Sequence, residues 1–289
     1  MFEGTLPPLL RAPLDAAAAA RMQALPLGSW DPIWELGDHA PHARVRAYAA
    51  GRLALFDGVR PTGVTIPIVA YVLRAGDLTM TIDSGLSERF RNAAVTEPVE
   101  DGPAPGMRYR PVLDGPSFAE QLAEEGIHAD RAVCTHLHKD HAGGVRALGV
   151  PVEAAAEELA VALGADAPGY PAEELAGVEF APINLDRGAV GPFERHAVLA
   201  PGVLALETAG HTPGSISIFA CLGASWALVC GDAVYPRAEE PQSPAFLGML
   251  RIRRALQELG GTVVLPGHDT TVLRACAGGA WLGREADAE

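Results

Sequence analysis

The sequence predicts an α/β (α+β) chain whose sheets are covered by helices, and two patterns carry that expectation. Apolar or alternating runs are grouped over residues 44–83, whereas beyond residue 117 short apolar runs are interleaved with helical stretches. Strands grouped first and then mixed with helices imply layered sheets rather than a purely parallel repeat. The composition supports a sizeable core: the 289 residues are 48% hydrophobic and 20% charged, which fits one large domain or two small ones.

Residues 1–43 are rich in Pro and Ala and read as an N-terminal arm, with one helix expected at 15–25 where Asp15 caps an alanine run. Strand chemistry begins at Arg44, in RVRAYAAGRLALF, VTIPIVAYVLRAG and LTMTID, each separated by Gly, Pro or Asp turns. A Pro- and Gly-rich break over 84–116 leads to a helix at 117–125 and a short buried strand at 131–135. Then come a helix near 141–148, a strand at 150–152, a helix at 154–163 and a polar stretch to Arg195. Strands follow at 203–207, 215–221 and 226–230, then a helix at 244–259 and a strand at 262–265. The stretch 212–231 carries no charge, but its Pro213, Gly214 and Gly223 make it two buried strands with a turn at 222–225 rather than a membrane span.

Charge and cysteine usage narrow the function. Lys+Arg number 22 against 36 Asp+Glu, a formal net charge of −14, which is the wrong field for a phosphate backbone and argues against nucleic acid. Cys134, Cys221, Cys230 and Cys276 form no CxxC pair, so a disulfide framework is not expected. The N-terminus lacks the basic start and apolar run of a secretory signal. A cytoplasmic protein with reduced thiols, and no membrane partner, is the expectation.

The chemistry concentrates in Thr135-His136-Leu137-His138-Lys139-Asp140-His141-Ala142-Gly143-Gly144. Three imidazoles and a carboxylate fall within six positions directly after a β-rich run. Alternate side chains leaving a strand end point the same way, so His136 and His138 can share one ion while Asp140 and His141 face another. Imidazole with carboxylate suits zinc, iron or manganese, and a nitrogen-rich set favours zinc. Further ligand candidates, His211, Asp232 and His268, each stand at a strand end in Gly-His-Thr-Pro-Gly-Ser, Cys-Gly-Asp and Pro-Gly-His-Asp. Asp83 and Asp269 could each accept a hydrogen bond from a ligand imidazole, or simply form turns. His39, His42, His128 and His196 read as ordinary loop or surface residues.

With these motifs the chain, over about 44–274, resembles the metallo-β-lactamase fold superfamily. The resemblance implies a four-layer αββα sandwich of two mixed β-sheets with helices outside, and makes residues 44–289 the catalytic domain. It implies two divalent metal ions, zinc first, with iron, manganese and cobalt as alternatives. Carried over by motif, His136, His138 and His211 would hold the first ion. Asp140, His141 and His268 would hold the second, and Asp232 would bridge them. Family members with a glutamate at the position of His138, or a cysteine at that of Asp232, depart from this set.

Within the superfamily the chain is most similar to N-acyl homoserine lactonases, which share Tyr235 three residues after Asp232, His-Ala-Gly-Gly after the motif, and Gly-His-Asp at the end. The implied reaction opens a lactone ring by attack of a metal-bridging hydroxide, a quorum-quenching activity if the substrate is an acyl homoserine lactone. Tyr235 would donate to the developing oxyanion, and Asp140 would pass a proton to the leaving alkoxide. Lys139, the one lysine in the chain, stands where lactonases often have an aromatic residue and is a candidate cation at the substrate rim. A thioester hydrolase of the glyoxalase II kind, or another carboxylic-ester hydrolase, shares the same ligands. A metal-binding module without turnover would need a closed coordination sphere, whereas seven ligands for two ions leave room for water and substrate. The N-terminal arm either covers the pocket or joins a homodimer.

Overall fold

The computed structural model describes residues 8–33, 42–91, 100–101, 108–164, 169–223, 225–234 and 244–283. Two sheets face each other. The first has eight strands in the order β4-β5-β1-β2-β3-β6-β7-β8, with β1 Ala43–Asp57, β2 Arg60–Ala75, β3 Leu78–Ile82, β4 Glu100–Asp101, β5 Arg108–Val112, β6 Arg131–Val133, β7 Val152–Ala155 and β8 Phe180–Ile183. The second has five strands in the order β13-β12-β11-β10-β9, with β9 His196–Ala200, β10 Val203–Glu207, β11 Ile216–Cys221, β12 Trp226–Gly231 and β13 Thr262–Pro266. Each sheet is mixed: β1–β3 pair antiparallel and β3-β6-β7-β8 parallel, while β12 and β13 are the parallel pair of the second sheet.

Strand β2 shows why two layers form on each side. Its side chains alternate, so Val69, Tyr71 and Leu73 enter the core between the sheets, where they meet Ile82, Val133, Ile218, Val229 and Leu265. Ile68, Ala70 and Val72 point the opposite way, into a core with Phe118 and Leu122. Both faces of one strand are therefore apolar, as a sheet covered on each side requires. Phe118 and Leu122 come from α3, Phe118–Glu124, whose start is fixed by a capping box between Ser117 and Glu120.

The outer face of the second sheet is covered by a long helix, α8, Pro244–Glu258, and by the N-terminal segment. There α1, Pro8–Arg11, and α2, Ala16–Gln23, bring Leu10, Ala18 and Met22 against Phe246, Met249 and Leu250. Asp15 caps α2, as expected, by accepting from Ala18 N at 2.7 Å. The described part of the arm is thus one wall of a core. The uncharged stretch forms the antiparallel pair β11–β12, and among the described residues no helix is long and apolar enough to cross a membrane. All four cysteines are buried and free.

The differences from the sequence reading cluster where proline and polar residues interrupt the pattern. The expected helix at 141–148 is two short ones, α4 Lys139–Ala142 and α5 Val145–Leu148, broken at Gly143-Gly144. The strand expected at 150–152 is β7, which starts after Pro151, a residue that cannot donate to the ladder, and runs on to Ala155, so the helix after it, α6, Ala156–Ala162, also starts later than expected. The polar stretch contains α7, Ala172–Leu175, and the edge strand β8, which carries Pro182, a residue tolerated where only one neighbour needs pairing. The break at 84–116 likewise hides β4 and β5, and α9, Thr270–Ala275, follows β13.

Candidate metal centre

The strands of both sheets end at one edge, and the predicted ligands leave from those ends. His136 follows β6, and Asp140 and His141 sit in α4. His211 lies in the β10–β11 connection, Asp232 follows β12 and His268 follows β13. Cross-sheet hydrogen bonds hold the edge together: Ile216 N donates to Thr135 O at 2.9 Å, Val69 N to Gly267 O at 2.9 Å, and the buried Tyr71 hydroxyl to Pro266 O at 2.6 Å. Such bonds replace water at a strand end and fix the spacing of the loops.

All seven predicted ligands meet. His136, His138 and His211 form one triplet, Asp140, His141 and His268 a second, and His136, His141 and Asp232 a third that overlaps both, with the ligand atoms of each within 4.8 Å of one another. Asp232 lies between them: its Oδ1 is 3.2 Å from His141 Nε2 and 3.3 Å from His268 Nε2, while its Oδ2 is 3.4 Å from His211 Nε2. One carboxylate oxygen thus faces each side. Asp140 Oδ2 approaches His268 Nε2 at 3.3 Å. Gly267 permits this approach, since a Cβ there would lie 2.6 Å from His141 Cε1 and 3.1 Å from Asp232 Oδ1.

Outer partners orient the rings. Asp83, in the left-handed region at φ 59°, pays for an uncommon backbone conformation of about 1–3 kcal/mol while its Oδ2 accepts from His141 Nδ1 at 2.8 Å. Asp83 Oδ1 also accepts from Thr135 N at 2.7 Å, and the Thr135 hydroxyl donates to Asp83 Oδ2 at 2.9 Å. That hydroxyl in turn can accept from His136 Nδ1, 3.2 Å away. His268 Nδ1 donates to Pro67 O at 2.6 Å. In each of these three rings the N–H is occupied and the Nε2 lone pair turns inward, the arrangement that metal-binding histidines adopt.

The buried atoms His136 Nε2, His141 Nε2 and Asp232 Oδ1 have no hydrogen-bond partner among the described residues. Leaving such atoms unpaired costs about 1–3 kcal/mol each, and two divalent cations sharing Asp232 would satisfy all three. The donor set therefore fits the ions that the sequence implied. Electrostatics divides the site. Burial, with the imidazoles of His141, His211 and His138 around it, holds His136 well below the ordinary histidine range, and burial with His211 lowers His138 to about 4. Burial also opposes charge on His141 and His268, but there the carboxylates outweigh it. Asp232, Asp83 and Asp140 raise His141 to about 10, and Asp232 and Asp140 push His268 well above its usual range. Burial alone would raise the carboxyls of Asp140 and Asp232; the histidines facing them lower both instead.

Other sequence candidates separate here. Asp83 is an imidazole partner, whereas Asp269 caps α9 through Thr271 N at 2.8 Å. Lys139 is half-buried at the start of α4, and its backbone N donates to Gly169 O at 3.3 Å. His42 and His128 are exposed as expected, but His196 is neither loop nor surface: it is buried at the start of β9, where its ring bonds Gly188 O. Tyr235 and His39 lie outside the described residues. Two side chains at the site escaped the sequence reading: Tyr170, whose ring stands 5.0 Å from that of His138, and the buried Glu158. Their only sequence signals, a tyrosine in a Pro-rich loop and a glutamate in a helix, are those of surface residues.

The family model described as Metallo-beta-lactamase superfamily matches residues 64–274. No curated protein matches the chain. Among solved structures, a mutant of AiiA from B. thuringiensis with N-decanoyl-L-homoserine bound at its active site is similar at TM-score 0.66 and 21% identity, covering 84% of this chain and 100% of that one. An N-acyl homoserine lactone hydrolase with N-hexanoyl-L-homoserine bound at its catalytic metal centre gives the same four values, TM-score 0.66, 21%, 84% and 100%. AidC, a dizinc quorum-quenching lactonase in complex with a product, is similar at TM-score 0.50 and 12% identity, over 79% of this chain and 88% of that one.

Proposed function

The chain belongs to the metallo-beta-lactamase superfamily, and from that membership we propose that it is a metal-dependent hydrolase that opens a lactone ring, with N-acyl homoserine lactones as substrate. The observation that carries this reading is the convergence of seven His and Asp groups on one sheet edge, with Asp232 turning one oxygen to each triplet. In the proposal His136, His138 and His211 would hold one divalent ion and Asp140, His141 and His268 the other, with Asp232 placed to serve both; zinc suits the nitrogen-rich set. When bound, such ions would supply a Lewis acid for the carbonyl and a water acidified from a pKa of about 15.7 toward neutrality.

The chain's own groups do the rest. Asp140 is the more open of the two carboxylates, 13% exposed against 6% for Asp232, so it is placed to move a proton between the nucleophile and the leaving alkoxide. Asp83, Thr135 and Pro67 keep the imidazole N–H groups turned away from the reacting centre. Tyr235 is proposed as the oxyanion donor and Lys139 as a rim cation. The solved lactonase structures support the substrate class through the product chemistry their names describe. The test is metal content of the purified protein combined with rates on acyl homoserine lactones, simple esters and acyl thioesters. Two ions per chain with lactones preferred bears the reading out; preference for a thioester replaces the lactone assignment, and a metal-loaded protein inactive on the whole panel overturns it.

A further inference from the structure

Glu158 is fully buried, in the first turn of α6. A buried carboxylate is costly unless hydrogen bonds satisfy it, and here neutral donors surround it. Its Oε1 accepts from Leu137 N at 2.9 Å, and its Oε2 accepts from the Thr212 hydroxyl at 2.6 Å and from Gly214 N at 3.2 Å. The Tyr170 phenol lies near it: burial of the ring first, and then the Glu158 charge, raise that phenol. Ser215 extends the network, since its Oγ accepts from Thr212 N at 3.0 Å and lies 2.7 Å from Thr212 Oγ1.

The positions of these donors give the network its meaning. Leu137 stands between His136 and His138, Thr212 adjoins His211, and the ring of Tyr170 rests edge-on against His138. Glu158 therefore ties together the two loops, one from each sheet, that carry the three histidines of the first triplet, and it touches none of the second. The fit is close: a Cβ on Gly214 would run into the Glu158 backbone. On the reading that these histidines hold an ion, we infer that Glu158 is a positioning residue, fixing the separation of the His136–His138 loop from the His211 loop and so setting affinity and geometry at that half of the centre.

Glu158→Gln tests this, because the amide keeps the size but turns an N–H₂ toward donors that need an acceptor. Stepwise zinc affinities from chelator competition, and the visible spectrum of the cobalt(II)-loaded protein, are read alongside circular dichroism. The expected result is a folded variant with one ion weakened about 10- to 100-fold, the usual cost of losing an outer partner, the other ion unchanged, and an altered cobalt spectrum. A folded variant with both affinities and the spectrum unchanged, or with both ions weakened equally, overturns the inference. If Glu158→Gln does not fold, Thr212→Val removes a single donor, and wild-type affinity for both ions in that variant overturns it. The wild type separates the two readings: fewer than two ions on it defeats the dinuclear scheme and this inference together, whereas two ions without lactone turnover defeats only the substrate assignment.

Discussion

The two halves of the centre share Asp232 but differ in their own groups, three imidazoles against two imidazoles and Asp140, and they sit in different fields. Burial and the neighbouring imidazoles hold His136 and His138 below the ordinary histidine range against the pull of Asp232, whereas at His141 and His268 the carboxylates outweigh burial and hold both above it. The outer supports differ as well, a carboxylate on His141 in one half and a backbone-binding glutamate beneath the loops in the other. The lesson is that the field on the first triplet favours the neutral imidazoles a metal needs, whereas the field on the second favours protons with which a metal must compete, because ligand imidazoles bind metal only when deprotonated.

Asp232→Asn breaks the comparison most severely, since Asp232 is the one carboxylate that faces both halves. Turnover should fall by more than the ~100-fold that outer partners typically cost, with metal content reduced at both positions; a fully active variant would falsify the bridging scheme. Asp83→Asn strikes His141 directly and reaches His136 only through Thr135. Asparagine tolerates the left-handed backbone of Asp83, so the fold should persist while the ion held by His141 weakens about 10- to 100-fold and the other weakens less. Equal weakening of both ions in chelator titration would show that the halves are not independent.

Acidity sharpens the contrast without a mutation. In the metal-free chain, His138 titrates at about 4 against 6.5 when unfolded, so the stability it contributes is present above pH 6.5 and is lost as pH falls toward 4. His141 titrates at about 10 against 6.5, so its contribution is present below pH 6.5 and is lost as pH rises through 10. The melting temperature of the chelated protein should therefore peak near neutrality, falling by about 5 °C or more on the acid side at the ~2–4 °C per kcal/mol typical of chains this large. A melting temperature that climbs steadily as pH drops to 4 would contradict the depressed half. The smallest effect is expected at Lys139, between His138 and Asp140. Lys139→Ala should lower kcat/KM on lactones about 2- to 5-fold, the range of an exposed charge contact, and Lys139→Arg less; no change in either removes it from the rim.

The ligands were readable because each sits in a short local pattern: H-x-H-x-D-H places four of them within one strand end and one helical turn, and glycine flanks His211, Asp232 and His268. The supports were not, because their meaning is tertiary. Glu158 follows Glu157 in a helix whose other glutamate pairs with Arg195 at 2.7 Å, and nothing local tells the buried one from the exposed one. Asp83 was recognisable as a candidate only because it ends a strand. The strand pattern of β1–β3 was legible from its alternation, whereas β5 and β8 were hidden by Pro111 and Pro182. Proline lowers the local signal for a strand even where an edge position accommodates it.

Each triplet takes two members from the loops of the eight-stranded sheet and one from those of the five-stranded sheet. An ion bound there is consequently a cross-link between the layers, closing a chain loop from His136 to His211 in one case and from Asp140 to His268 in the other. Loops of that length lose much freedom on closure, and ligands that bind only the folded form add to its stability. Catalyst and fastener are then the same atoms, and a cell that withholds the metal would take away not only the reaction but part of the grip between the two sheets.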